Sequence, residues 1–258
     1  MRDFLEDAHA HRQDGYGRAQ AADKVPLMKR FYTAATVEPV DGAHAVLLDG
    51  RPVKTPGGKP VRVPTRRLAE AMAEEWEAQQ SHIDFRGMPL VRLAHSAVES
   101  GPEGAAAFRD EVVRFAGNDM MLYRADTPDS LVAEQERHWD PVLVALARRL
   151  DVKFQPTIGI IHQPQPEVTL RILAATIAEA DHFSLVGLMQ ITSLTGSGLL
   201  ALAHRHGLID ADAAWMAAHV DEDHNIRLWG EDEDAKTRRA LRRAEYDAAL
   251  RLLQTLGG

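Results

Sequence analysis

Three turn signals crowd into the stretch between Arg30 and Thr65: Asp41-Gly42, Asp49-Gly50 and Pro56-Gly57-Gly58. They separate short runs rich in β-branched residues, "FYTAATVEPV", "HAVLLDG", "RPVKTP" and "KPVRVPT". An Asp-Gly pair accepts the positive φ angles of a two-residue hairpin turn, so this spacing makes the chain double back on itself. Residues 30–65 therefore read as an antiparallel meander. Thr65 follows where a helix N-cap belongs, just ahead of "RRLAEAMAEEWEAQQ". Leu68, Met72 and Trp76 recur at i, i+4 and i+8 and share one face of that helix.

The segment "ESGPEG" at 99–104 has the composition of a linker. Beyond it the pattern is helical over 104–117, 128–150, 165–180, 183–205, 210–229 and 231–256, with a short strand around "VKFQP". The expected fold class is α+β. A loose N-terminal arm (1–29) precedes a small antiparallel β-rich N-terminal domain with one helix (30–100). A mainly α-helical C-terminal domain (101–258) follows. No internal repeat or low-complexity tract interrupts this order.

Composition then removes whole classes of function. Apolar residues make up 45% of 258, enough for a real core, and the net charge is −8. An acidic chain without a basic stripe does not suit nucleic acid, whose binding rests on neutralising phosphates. Cysteine is absent, which excludes disulfides, thiol catalysis and Cys-based zinc sites, and fits a reducing compartment. No apolar run is long enough to span a bilayer, so membrane insertion is not expected. "MRDFLEDAHAHRQDG" lacks an apolar signal core and carries acids that disfavour a mitochondrial presequence. The expected location is the cytoplasm of a bacterium, or the mitochondrial matrix if the chain is a trimmed eukaryotic form.

Candidate motifs for chemistry fail in turn. "TGSGLL" at 195–200 lacks the Lys of a phosphate loop and the leading Gly of a nucleophile elbow. Its small residues suit close helix packing instead. His204 and His206 lie two apart, which on a helix points them to different faces. Asp221, Asp223 and Asn225 begin like a calcium loop, but Ile226 stands where the turn needs Gly and Asp232 where it needs a bidentate Glu. No metal, nucleotide or other cofactor is expected.

The stretch "HVDEDHNIRLWGEDEDA" at 219–235 holds seven acids. On one helix over 210–229, Trp215, His219, Glu222, Ile226 and Trp229 fall on a single packed stripe, while Asp221, Asp223 and His224 face solvent. Gly230 ends that helix. Glu231–Asp234 open the next, where acids complement the helix dipole and Asp234 can pair with Arg238. Glu222 is then a carboxylate set among apolar neighbours. Burying it without a partner is unfavourable. It either pairs with an internal Arg, or lies at the stripe's edge, or awaits a donor from a partner protein.

Several segments together resemble the ATP12 family, assembly chaperones of the F1 part of ATP synthase. They are "KRFY" at 29–32, "EWEAQ" at 75–79, "MPLVRL" at 88–93, "LYRADTPDSLVAEQERHWDP" at 122–141 and "DEDHNIRLWGEDEDA" at 221–235. The resemblance runs from about Lys29 to Leu252. It implies a two-part fold, no catalysis, and a client: the unassembled F1 α subunit, held soluble until β displaces the chaperone. The residues it singles out for partner binding are Trp76 with Glu75, Trp139 with Asp140 and Pro141, and Glu222 with Trp229 and Gly230. The tryptophans also have a plain reading as core anchors. Two other functions compete. One is a hydrolase using Glu222 and His219, three apart on one face, as an acid–base pair, which would need a pocket that both side chains face. The other is a subunit that stays in its complex.

Overall fold

The computed structural model describes residues 27–257, so most of the arm read over 1–29 lies outside the described residues. Strand β1 (Met28–Lys29) pairs antiparallel with β5 (His82–Ile83). Strands β2 (Ala35–Val40), β3 (Ala43–Leu48) and β4 (Arg51–Pro52) form the antiparallel meander. Both Asp-Gly turns take left-handed backbone at both residues, with φ of 48° and 78° at Asp41 and Gly42 and 46° and 78° at Asp49 and Gly50. That is the hairpin geometry the pairs favour.

Helix α1 (Arg66–Glu77) starts on Thr65, whose Oγ1 accepts from the Leu68 N–H at 3.1 Å. Leu68, Met72 and Trp76 are all buried, as their spacing predicts. A second helix, α2 (Pro89–Ser100), joins α1 in this part of the chain. The sequence reading places only one helix in this part, because "MPLVRLAHSAVES" offers Pro89 at the first helical position but no capping side chain before it. Its cap comes from elsewhere. The Glu75 carboxylate of α1 accepts from the N–H groups of Leu90 and Val91 at 2.9 and 2.8 Å.

The remainder is helical. In order come α3 (Ala105–Gly117), α4 (Asp129–Leu150), α5 (Glu167–Thr176), α6 (His182–Thr195), α7 (Gly198–Arg205), α8 (Ala211–Ala218), α9 (Val220–Trp229) and α10 (Glu233–Leu256). The expected strand near "VKFQP" falls slightly later, as β7 (Thr157–Ile158), which pairs in parallel with β6 (Tyr123–Arg124). Helix α6 is apolar on every side and buried for most of its length, as suits a central helix. It packs against α2, α3, α7 and α10. Helix α10 closes on the N-terminal part: the Thr65 hydroxyl donates to the Thr255 carbonyl at 2.8 Å, and Arg251 pairs with Glu74. Buried residues before and after Gly101–Gly104 belong to one contiguous apolar cluster.

Two long helices expected from periodicity are broken. The run 183–205 divides at Gly196, which takes φ +68°. Ser197 caps α7, accepting from the Leu200 N–H at 2.9 Å. Gly198 confirms the reading of "TGSGLL" as a packing device: a Cβ there would lie 2.3 Å from the Val112 carbonyl oxygen of α3. The run 210–229 divides at His219, with φ −118° and ψ 16°, into α8 and α9. Among the described residues no helix is long and apolar enough to cross a membrane.

Candidate partner-binding site

The break at His219 resets the helical phase, and this rearranges the predicted stripe. On α9 the buried residues are Val220 and His224, so His224 is a core residue rather than a solvated one. Trp215 belongs to α8 and is buried against Tyr246, ring centroids 5.1 Å apart, with the Arg243 guanidinium 5.5 Å above it. His219 is buried, and its Nδ1–H donates to the Trp215 carbonyl at 2.7 Å. Burial chiefly holds its imidazole below the ordinary histidine range. Trp229 is at the opposite extreme: 84% of it is exposed, and Leu228 beside it is 58% exposed.

Glu222 lies between these extremes. Its side chain is 37% exposed, with an oxygen 3.8 Å from the Arg242 guanidinium of α10 and 3.9 Å from His219 Nε2. Both contacts are long, which leaves the carboxylate lone pairs without a close donor among the described residues. The neighbouring acid, Asp223, is committed to Arg239 of α10. Asp221 Oδ1 accepts from Gln135 Nε2 of α4 at 2.9 Å. So α9 is clamped on one side to α10 by ion pairs and on the other to α4 by an amide, with Glu222 and Trp229 left facing outward. Gly230 ends α9 at φ +84°, a conformation strained for residues with a Cβ. Its N–H donates to the Ile226 carbonyl at 2.8 Å. Asp232 then caps α10, accepting from the Ala235 N–H at 3.0 Å. Arg238 faces this cap at 4.0 Å rather than Asp234.

The other singled-out residues divide by exposure. Trp76 is buried between the rings of Tyr32 and Phe85, each 5.7 Å away edge-on, both from the N-terminal part. Glu75 is the cap of α2, and burial raises its carboxyl above the ordinary range against the pull of those two N–H groups. Trp139 is 1% exposed, and its Nε1–H donates to the Ala217 carbonyl of α8 at 2.8 Å. Pro141 sits inside α4 one turn after Arg137. Asp140 is on the surface, accepting from Arg124 at 2.6 Å. Of the set, therefore, Asp140, Glu222 and Trp229 present polar or aromatic groups at the surface, while Trp76, Glu75 and Trp139 pack or bond within the fold.

His219 and Glu222 approach to 3.9 Å, but a hydrolase would need both to face one pocket. His219 is 1% exposed, and the cleft between α4 and α9, lined by Glu134, His138, Val220 and Asp223 among others, includes neither His219 nor Glu222. Among the described residues no group of three or more His, Asp or Glu side chains is placed to hold a metal ion. Adding ATP or a divalent cation should leave the melting temperature unchanged within a degree. A clear rise would contradict this, since a ligand specific for the native state must stabilise it.

Sequence reasoning missed two features. Asp119 is wholly buried at the start of α7, and "TIGII" at 157–161 stands out from the surface. The first has no local signal. The second had one, an uncharged apolar run set between Pro156 and Pro164.

Comparison with known proteins identifies relatives of the whole chain. The family described as ATP12 chaperone protein matches residues 29–147. The crystal structure of Atp12 from Paracoccus denitrificans is 39% identical, covers 88% of this chain and 98% of its own, and superposes with a TM-score of 0.82. The crystal structure of the Atu1473 protein from Agrobacterium tumefaciens is also 39% identical, covers 93% of this chain and 90% of its own, with a TM-score of 0.86. "Protein atp12, mitochondrial" of Schizosaccharomyces pombe is 23% identical over 222 residues, 81% of this chain and 76% of that protein.

Proposed function

The chain belongs to the ATP12 chaperone family, and on that premise we propose that it binds the unassembled α subunit of F1 and prevents its aggregation until the β subunit displaces it. Its role is that of a chaperone in ATP synthase assembly. We assign it to the bacterial cytoplasm; the relative from S. pombe is mitochondrial.

The observation that carries this reading is Trp229. A tryptophan 84% exposed at the end of a clamped helix buys nothing for the fold. Large aromatic side chains of this kind anchor protein interfaces, where polar groups around them set register. Glu222, one α9 surface away and loosely held by Arg242 and His219, supplies such a group.

The test begins with the α subunit diluted from denaturant. Light scattering should fall when the chaperone is present and the captured subunit should be released on adding β. Scattering unaffected by the wild-type chain would overturn the reading. Stoichiometry separates the chaperone from a permanent subunit, because a chaperone is absent from finished ATP synthase.

Glu222 gives the site-level prediction. Glu222→Gln should leave the melting temperature nearly unchanged, because the contacts it loses are long and partly solvated. Capture of α should weaken by the worth of a charge-assisted hydrogen bond, roughly 1.5–3 kcal/mol. Glu222→Lys should be worse, since it turns the client's donor against a like charge and faces Arg242. A stable Glu222→Lys protein that binds α like wild type would remove Glu222 from the site. A large drop in melting temperature with proportionate loss of binding would make the residue structural.

A further inference from the structure

The end of β7 and the loop that leads from it to α5 expose three isoleucines. Ile158 is 69%, Ile160 94% and Ile161 79% exposed. Their display does not come from a loose loop. At its base, Gln165 Oε1 accepts from the Gln155 N–H at 2.8 Å and Gln165 Nε2 donates to the Gln155 carbonyl at 3.0 Å. On one side the Gly159 N–H donates to the Arg124 carbonyl at 2.8 Å, continuing the β6–β7 pairing. On the far side, His162 Nδ1 lies 2.9 Å from the Tyr123 hydroxyl and 3.1 Å from Asn118 Oδ1. Every tie is polar, so the apolar side chains are left over, held outward by a frame that does not use them. Exposed apolar clusters on that scale mark interaction surfaces, and a preset loop loses little entropy on docking.

The surroundings select the kind of partner. No lysine, arginine or acid interrupts the chain between Lys153 and Glu167. The adjoining cleft, of about 290 Å³, is rimmed by the exposed carboxylates of Glu136 and Asp140, and its one cation, Arg124, is already paired with Asp140. With Arg124 and Asp140 cancelling, Glu136 leaves this rim net negative, which disfavours an anionic bilayer and complements a basic protein surface. The β6 strand that holds the loop is also linked to α9 through α4. Gln135 is buried between the two: its Oε1 accepts from the Ala125 N–H, next to β6, at 2.9 Å, and its Nε2 donates to Asp221 of α9 at 2.9 Å.

We propose that the 157–162 loop is a second docking element for the client, with Ile160 and Ile161 entering an apolar groove rimmed by basic side chains on the unassembled F1 subunit. This rests on the function proposed above. It predicts a surface of two arms, the isoleucine loop and α9 with Trp229, joined across α4.

The chain has no cysteine, so Ile160→Cys offers a unique attachment point for an environment-sensitive fluorophore. Its emission should shift to the blue when the F1 α subunit is added. The double variant Ile160→Ser, Ile161→Ser should melt like wild type and bind α about tenfold or more weakly. A double variant that binds α as well as wild type overturns the proposal while leaving the client reading intact. If the wild-type chain itself fails to capture α, the client reading falls instead. A blue shift with phosphatidylglycerol vesicles but not with α would make the tip a membrane contact. A wild-type dimer that the double variant dissociates would make it a contact between copies. Either result overturns the proposal.

Discussion

Trp76→Arg should fail to accumulate as soluble protein. The indole is 4% exposed and held edge-on by Tyr32 and Phe85, and the Tyr32 hydroxyl donates to the Trp76 backbone carbonyl at 2.6 Å. Replacement removes the ring that joins these aromatics and places a guanidinium in an apolar setting. Large-to-small changes at such sites cost roughly 3–5 kcal/mol, and an unpaired buried charge adds to that. The sum is comparable to the stability of a typical domain. A companion variant separates packing from polarity. The indole N–H has no hydrogen-bond partner among the described residues, so Trp76→Phe loses volume but no bond seen there, and should stay folded and retain client capture. Expression, melting temperature and α-subunit capture of the two variants provide the check. A well-folded, fully active Trp76→Arg protein would overturn this placement.

Asp119→Ala should lower the melting temperature by about 10 °C, corresponding to roughly 3–5 kcal/mol. Asp119 is wholly buried, and its two oxygens accept from the Ser197 hydroxyl at 2.7 Å, the Leu199 N–H at 2.9 Å and the Met121 N–H at 3.2 Å. Alanine would strand these donors in the interior and detach the start of α7 from the turn that follows α3. The carboxyl also makes stability depend on pH. Burial, the largest influence, raises its pKa from an ordinary 3.8 to about 7. The folded protein therefore holds this proton where the unfolded chain has released it, so the group's contribution is greatest below pH 4 and declines as pH rises to about 7. Asp119→Asn cannot titrate. Its deficit relative to wild type should thus be larger at pH 5 than at pH 8, by about 2–3 kcal/mol. Urea unfolding of both proteins at the two pH values measures this. A deficit that stays constant with pH would show that Asp119 keeps its charge in the fold.

These two residues mark how far the sequence could be read. Trp76 was placed correctly because its neighbours Leu68 and Met72 repeat at a helical interval, and a repeat is a local property. Asp119 could not be placed. Its partners lie 78 and 80 residues away, and an acid before "MMLY" looks no different from one at any loop end. The same divide runs through the proposed site. Helix existence, the capping acids at 231–234 and the turn role of Gly230 were legible. The direction in which Glu222, His224 and Trp229 point was not, because it was extrapolated across a helix that breaks.

What the sequence by itself determined is therefore whatever depends on neighbours along the chain. The Asp-Gly hairpins, the Thr65 cap, the helical character beyond 104 and the resemblance carried by "LYRADTPDSLVAEQERHWDP" and "DEDHNIRLWGEDEDA" all belong here. The tertiary structure alone decided what each face meets. It ended α8 at His219, where the imidazole turns back onto the Trp215 carbonyl, and so reset the phase of α9. Side chains advance by about 100° per residue only while the backbone stays helical. One residue outside that geometry was enough to send Trp229 to the surface and His224 into the core. It was long-range packing, with α10 pairing through Arg239 on one side and α4 through Gln135 on the other, that set the new phase.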